Sequence, residues 1–289
     1  YIWGDNVPRG TMRMRYTKLQ LKDEAFSGEE FQLEKDSKGV LKTVPVPEKI
    51  EFYYNFGAYI SHQNDGRNFL TVLYNIVKKM MLKKKLNLLK ESNENLNSVL
   101  DFGCGIGDFV GFSSEKNLKA EGVEPTSIAF DKAKKRGLSV YKSIQESKAT
   151  YDAITLFHVL EHVEDYDETI HELVERLNPE GHMLIAVPNY KSYDARYYKD
   201  KWAAWDVPRH LWHFSKKDIE EIGKRHNLEL IKIEPMLWDA FYISMISESY
   251  KGNMKLKGIY RGLLSNLKAV KTKEFSSNLF LLKKGPSMD

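Results

Sequence analysis

The spacing of apolar and polar positions changes character twice along the chain. Residues 1 to 50 hold no sustained period, only short alternating pieces, Glu30 to Leu33 and Gly39 to Val46, which predict a small hairpin. Val44-Pro45-Val46-Pro47 follows as an extended linker, because each proline restricts the residue before it. From Asn68 to about Leu89, Leu70, Leu73, Tyr74, Ile76, Val77, Met80, Met81 and Leu88 recur at helical spacing, with Lys78, Lys79, Lys83, Lys84 and Lys85 between them. That predicts a long basic amphipathic helix, packed by its apolar stripe on a sheet or lying on a membrane surface.

From Ser98 the pattern becomes strand, turn and helix in repetition. Ser98 to Phe102 reads as a short buried strand, Gly103 to Gly107 as a glycine turn, and Asp108 to about Ser114 as a helix. Ala120 to Glu124 and Leu138 to Tyr141 are further strands flanking a helix from Ser127 to Arg136 that Gly137 terminates. Ala153 to Phe157 is a fourth strand, followed by an acidic helix with Leu160, Val163, Ile170, Leu173, Val174 and Leu177 on one stripe. Asn178-Pro179-Glu180-Gly181 reads as a turn before a fifth strand, His182 to Val187. Strands alternating with helices at this spacing predict an α/β fold with a doubly wound, mostly parallel sheet covered on both faces. Leu228 to Ile233 and Ser277 to Leu282 are candidate last strands.

A glycine loop between the first strand and a helix lets a ligand approach the backbone at a helix N-terminus. The dinucleotide fingerprint requires glycine at its sixth position, where this chain has Asp108, and a carboxylate there would face a pyrophosphate. An amino-acid ammonium tolerates such neighbours. Glu124, ending the second strand, can accept hydrogen bonds from both hydroxyls of a ribose, and a carboxylate there is costly to bury without a partner.

These residues resemble the class I S-adenosylmethionine-dependent methyltransferases, of the small-molecule type that includes quinone O-methyltransferases and sugar methyltransferases. Val99 to Gly107 is similar to the family's first motif, Gly122-Val123-Glu124-Pro125 to its ribose-binding acidic motif, Tyr151 to Val163 to its signature after strand four, and Leu177 to His182 to the turn before strand five. The resemblance implies a Rossmann-like seven-stranded sheet of order 3-2-1-4-5-7-6 with the seventh strand antiparallel, and S-adenosylmethionine as cofactor. It implies that Asp101, Gly103, Cys104, Gly105 and Gly107 border the methionine portion. Glu124 and Pro125 would lie at the ribose, Ser143 and Ile144 at the adenine, and Phe157 and His158 would close the pocket. The N-terminal arm is similar to segments that carry a cysteine-rich zinc module in relatives, but its Lys35 to Gly39 has no cysteine, so no such zinc site is expected. By the same resemblance Tyr59 and His62 reach the methionine end. Residues 1–65 are thus expected to form the arm and 66–289 the catalytic domain.

Composition, the first residue and charge sharpen this further. No window holds the roughly 18 uninterrupted apolar residues of a membrane span. A single cysteine, Cys104, excludes an intramolecular disulfide, fits a reducing compartment and leads to the expectation of a cytoplasmic protein. The chain opens on Tyr1 and not Met, which leaves an upstream segment open. The net charge of +4 is uneven, since residues 251 to 289 carry nine Lys/Arg against two Asp/Glu, so peripheral contact with an acidic surface is an open alternative.

Residues 189–214 contain Tyr190, Tyr193, Tyr197, Tyr198, Trp202, Trp205, Trp212 and Phe214, placing eight aromatic rings just beyond the fifth strand, where a lid over a substrate would sit. A packed structural insertion is the other reading. Methyl transfer to oxygen or carbon needs alignment and a base. His210 and His213 are the candidates, with Asp206 or Arg209 orienting or binding an anion and His162 as a further contender. Phe157-His158-Val159-Leu160 stands where amino-methylating nucleic-acid enzymes have an Asn/Asp-Pro-Pro-Tyr-like tetrapeptide, which argues against methylation of exocyclic amino groups on bases and for an oxygen or carbon centre on a small molecule, sugar or lipid-linked acceptor, with nucleic acid not the expected partner. An NAD-linked oxidoreductase and a non-catalytic protein binding polyanions or a membrane surface are the competing classes.

Overall fold

The computed structural model describes residues 19–54 and 69–286, with side chains in its first long helix described from Asn75 onward. Three short strands, β1 (Gln20–Lys22), β2 (Glu30–Lys35) and β3 (Leu41–Val44), form an antiparallel meander, and the expected hairpin is its β2–β3 half. Helix α1 (Phe69–Ser92) leads into β4 (Ser98–Phe102), α2 (Asp108–Ser114), β5 (Lys119–Val123), α3 (Ser127–Lys135) and β6 (Val140–Tyr141). Then come β7 (Tyr151–Phe157), α4 (Tyr166–Glu175), β8 (Leu177–Pro188), α5 (Tyr193–Tyr198) and β9 (Trp212–His213). The chain ends with α6 (Lys216–Arg225), β10 (Leu228–Pro235), α7 (Leu237–Tyr250), α8 (Leu256–Thr272) and β11 (Ser277–Lys284).

The main sheet runs β10-β11-β8-β7-β4-β5-β6. Read by rank within that sheet, this is the expected 3-2-1-4-5-7-6, and β11 is antiparallel to both neighbours. Its central strands read as near-continuous apolar runs because both faces are covered. Alternate residues feed two cores. Leu100, Ile154, Leu156 and Ile185 pack with Ile170 and Leu173 of α4 and Ile219 and Ile222 of α6. Val99, Ala153, Leu184 and Ala186 pack with Leu86 and Leu89 of α1 and Phe109 of α2.

Three elements differ from expectation. The acidic helix begins only at Tyr166, where Asp165 accepts the amides of Asp167 and Glu168 as an N-cap, so Leu160 and Val163 lie in the preceding loop. Asn178 to Gly181 falls inside β8, but the pairing jumps from Tyr151↔Leu177 to Ala153↔His182, so the turn is an excursion within a strand. Among the described side chains of α1, from Asn75 onward, Leu86, Leu88 and Leu89 of the apolar stripe are buried, whereas Ile76 and Met80 are exposed.

The aromatic segment after β8 joins the small sheet. Leu41 and Lys42 of β3 pair with His213 and Trp212 of β9, extending the meander to four strands. Leu21, Phe31, Leu33 and Leu41 then share a third core with Tyr190, Tyr198, Trp202 and Trp205. Six of the eight aromatic residues, Tyr190, Tyr198, Trp202, Trp205, Trp212 and Phe214, are buried, so the segment is a packed body and not an open flap.

Candidate functional site

The C-terminal ends of β4, β5 and β7 converge on the glycine loop. Gly103, Gly105 and Gly107 all have positive φ, at 72°, 55° and 79°, which a residue with a Cβ adopts only at a cost. Their surroundings differ. A Cβ at Gly103 would stand 2.4 Å from Val159, and one at Gly107 2.4 Å from Leu138, so both let the loop lie against the protein. At Gly105 nothing lies within 4 Å, and the backbone faces open space.

Glu124 borders that space. One of its carboxylate oxygens accepts the Gly105 amide at 2.9 Å and the other the Thr126 amide at 2.8 Å, which satisfies a buried charge and fixes the loop to the end of β5. Each oxygen keeps a lone pair for a further donor. Pro125 is exposed beside it, Ser143 is half-buried, and Ile144 belongs to the core under the loop after β6. Cys104 is buried, and a Cβ on Gly122 would stand 2.5 Å from its sulfur. The thiol fills the space between β4 and β5, and burial pushes its pKa well up, so it contributes volume and not reactivity.

Asp101 is buried at the end of β4 and accepts a hydrogen bond from Thr155 at 2.6 Å. Burial pushes its carboxyl up to about 7 despite the Thr155 bond and the nearby Lys85. The same burial pulls Lys85 down to about 8, although Asp101 and Asp239 oppose it, and the Lys85 ammonium lies 3.6 Å from the centre of the Phe157 ring. Phe157 also meets Phe109 edge-on. Lys85 and Asp239 had no motif to announce them, and Thr155 lay within the strand-four signature without an assigned role.

His158, at φ 57°, leaves β7 toward two carboxylates, with Nδ1 3.4 Å from Glu161 and Nε2 3.2 Å from Asp239 of α7. Burial acts to lower its pKa but is outweighed by these partners, which push it up to about 10. Glu161 is 1% exposed, and burial would raise its pKa. The histidines facing it, His158, His210 and His162, instead hold it down at about 2. Neither of its oxygens makes a hydrogen bond, so a buried carboxylate stands beside a small cavity lined also by His210, His213, Trp202 and Trp212.

The histidines are held through the aromatic segment. His210 Nδ1 donates to the Ala204 carbonyl at 2.9 Å, leaving its Nε2 lone pair available, and burial together with His162 pushes its pKa down to about 4. Thr43 donates to the His210 carbonyl at 2.7 Å, so His213 Nε2 must donate to Thr43 at 2.9 Å. His213 is thereby tied to β3, and burial keeps it neutral. His162 Nδ1 donates to the Arg209 carbonyl at 2.9 Å and lies 3.0 Å from the Tyr54 hydroxyl. One carboxylate oxygen of Glu161 and one ring nitrogen each of His162 and His210 lie within 4.8 Å of one another, a spacing that could accept a cation.

Arg209 takes a different part from the one its position suggests. Its guanidinium is 1% exposed and grips Asp23 at 2.8 Å and Asp206 at 2.7 Å, which ties the meander to the aromatic segment and commits the charge within the fold. Tyr59 and His62 lie outside the described residues.

Known proteins share the fold that holds these residues. A protein-family profile described as a methyltransferase domain matches residues 76–233. Magnesium protoporphyrin IX methyltransferase from Synechocystis PCC 6803 with bound SAH is 12% identical, with a TM-score of 0.54 over 82% of this chain and 98% of that one. Haemonchus contortus phosphoethanolamine N-methyltransferase 2 in complex with S-adenosyl-L-methionine is 15% identical, with a TM-score of 0.53 over 94% and 72%. The cyclase SpnF is 15% identical, with a TM-score of 0.51 over 78% and 86%. At these identities the likeness is one of fold. Among curated proteins no relative matches.

Proposed function

The chain belongs to the methyltransferase-domain family, and from that premise we propose that it is an S-adenosylmethionine-dependent methyltransferase acting on an oxygen or carbon nucleophile of a small molecule, sugar or lipid-linked acceptor. The observation that carries the reading is the open face of the glycine loop at Gly105, with the Glu124 carboxylate fixed at its rim. The loop and carboxylate fit a nucleoside with free ribose hydroxyls, and Asp101 fits the ammonium of its amino-acid end. A cation beside Asp101 offsets the burial that holds its carboxyl near 7 and favours the ionised form. The cofactor supplies a methyl group on a sulfonium centre.

The remaining groups serve the acceptor. His210 is neutral at physiological pH with a free Nε2 lone pair, so it can receive the proton a hydroxyl or acidic carbon loses. Glu161 and Asp206, whose Oδ2 is 3.9 Å from His210 Nε2, stabilise the imidazolium that then forms, and the Ala204 carbonyl keeps the ring in its useful tautomer. His213, spent on Thr43, holds the segment in place. Trp202 and Trp212 wall off the cavity and would stack on or exclude water from an acceptor.

The test is turnover with methyl-labelled S-adenosylmethionine across phenols, sugars and acyl-lipid acceptors. For the acceptor that reacts, His210→Gln should lower kcat by roughly 10²- to 10⁴-fold, with cofactor affinity unchanged and a changed pH profile. A variant with wild-type kcat would remove His210 from the chemistry.

A further inference from the structure

Helix α8 is patterned the wrong way round for a surface helix. The face it turns to the protein is made of small residues, with Gly258, Gly262, Ser265 and Ala269 all buried. A Cβ at Gly258 would stand 2.4 Å from the Met245 backbone, and one at Gly262 2.7 Å from that of Phe241, so α8 lies backbone to backbone against α7. Its large apolar residues point outward. Leu256, Ile259, Tyr260, Leu263, Leu267 and Val270 are 46 to 68% exposed, and at 100° per residue they fall within one narrow stripe. Leu237 and Trp238 of α7 are exposed as well. An apolar face of this extent on a folded chain marks an interaction surface.

The charges around the stripe select its partner. Between residues 251 and 273 all seven charged side chains are cationic. Lys251, Arg261 and Lys268 lie over the rings of Tyr197 and Tyr193 in α5, while Lys255, Lys257, Lys271 and Lys273 are exposed. A second copy of the chain would oppose this cationic rim to its own, which disfavours self-association. An anionic lipid surface meets both needs at once, taking the apolar stripe at the acyl boundary and the lysines at the headgroups.

We propose that α8, supported by the exposed end of α7, docks the protein in the plane of an anionic lipid bilayer. The docked helix is bonded directly to the aromatic segment. Ser265 donates to Asp194 at 2.7 Å, and Arg261 sits 4.1 Å from the centre of the Tyr197 ring. Docking therefore sets α5, and with it the segment that carries His210, beside the headgroup layer. Taken with the methyl-transfer reading, on which this last step rests, it favours an acceptor held in or delivered from the membrane.

Vesicle flotation tests the docking. The intact protein should float with vesicles of phosphatidylcholine containing roughly a third phosphatidylglycerol and not with phosphatidylcholine alone, and binding should fall as salt rises. Lys257→Gln with Lys271→Gln should weaken partition about 25-fold, at about fivefold per cation. Leu263→Glu with Leu267→Glu should abolish it while the melting temperature stays unchanged, since both side chains are exposed. Equal binding to neutral vesicles, no binding to either, or flotation that survives the double glutamate variant would overturn the proposal. So would a dimer that the same variant dissociates. Cofactor affinity, measured on the same variants, should be unaltered, so failure of the methyl-transfer reading and failure of docking give separate signals.

Discussion

Replacing Arg209 by methionine removes the charge that joins the meander to the aromatic segment and keeps most of the volume. The guanidinium is 1% exposed and Asp23 is equally buried, so the pair is not screened by solvent. Breaking a buried pair by deleting one partner costs about 3–5 kcal/mol, because the other charge is stranded. Asp23 keeps the amides of Ala25, Phe26 and Ser27 and the Ser27 hydroxyl, which places Arg209→Met at the lower end, about 3 kcal/mol. For a domain this large that is a fall of roughly 6–12 °C in melting temperature. Arg209→Lys should lose nearly as much, since one ammonium cannot span both Asp23 and Asp206. The same contribution has a pH sign. Burial would raise the Asp23 carboxyl, but Arg209 and the Ser27 amide outweigh it and hold it below its usual 3.8, so the stability is present above that value and lost as pH falls through the lower folded one. Scanning calorimetry on the two variants and the wild type reads all of this. Arg209→Met melting within about 2 °C of wild type would mean that the pair contributes nothing net, as many ion pairs do not, and that the packing of the aromatic segment alone secures the meander.

Gly105→Ala should fold, since the added Cβ meets nothing within 4 Å, at a cost of about 1–2 kcal/mol for the left-handed backbone; it should nevertheless weaken cofactor binding at least tenfold, and unchanged affinity would mean that the open face is not the pocket. Burial raises Asp101 to about 7, so a cationic ligand that needs its carboxylate should bind progressively more weakly below pH 7. Calorimetric titrations at pH 6 and 8 should show weaker binding at pH 6 for the wild type, and Asp101→Asn should lose that weakening.

Much of the fold was legible because it rests on period and punctuation. The parallel α/β class follows from alternating strands and helices, whereas the strand order was implied only by the resemblance; the glycine loop is readable because positive φ at Gly103, Gly105 and Gly107 leaves glycine the natural choice. The boundaries of α4 and β8 were not legible. Asp165 caps a helix that the apolar stripe alone extends back to Leu160, and the β8 excursion keeps a strand's register across residues that read as a turn. Parts of the site were hidden for another reason. Lys85 on α1, Thr155 within β7 and Asp239 on α7 reach Asp101, Phe157 and His158 only through tertiary packing, and no local spacing encodes that. Arg209 was misleading in the opposite way, since an arginine among aromatics and histidines suggests an anion site until Asp23, 186 positions away, is found to hold it.

Calorimetry of S-adenosylmethionine and S-adenosylhomocysteine binding, with Glu124→Ala alongside, bears most directly on the account. It predicts saturable binding of both ligands well below millimolar, with a loss of at least tenfold in the variant, in line with hydrogen bonds to a charged group worth about 1.5–3 kcal/mol. Folded protein that binds neither ligand below millimolar, or a Glu124→Ala variant that binds both as tightly as wild type, would contradict it.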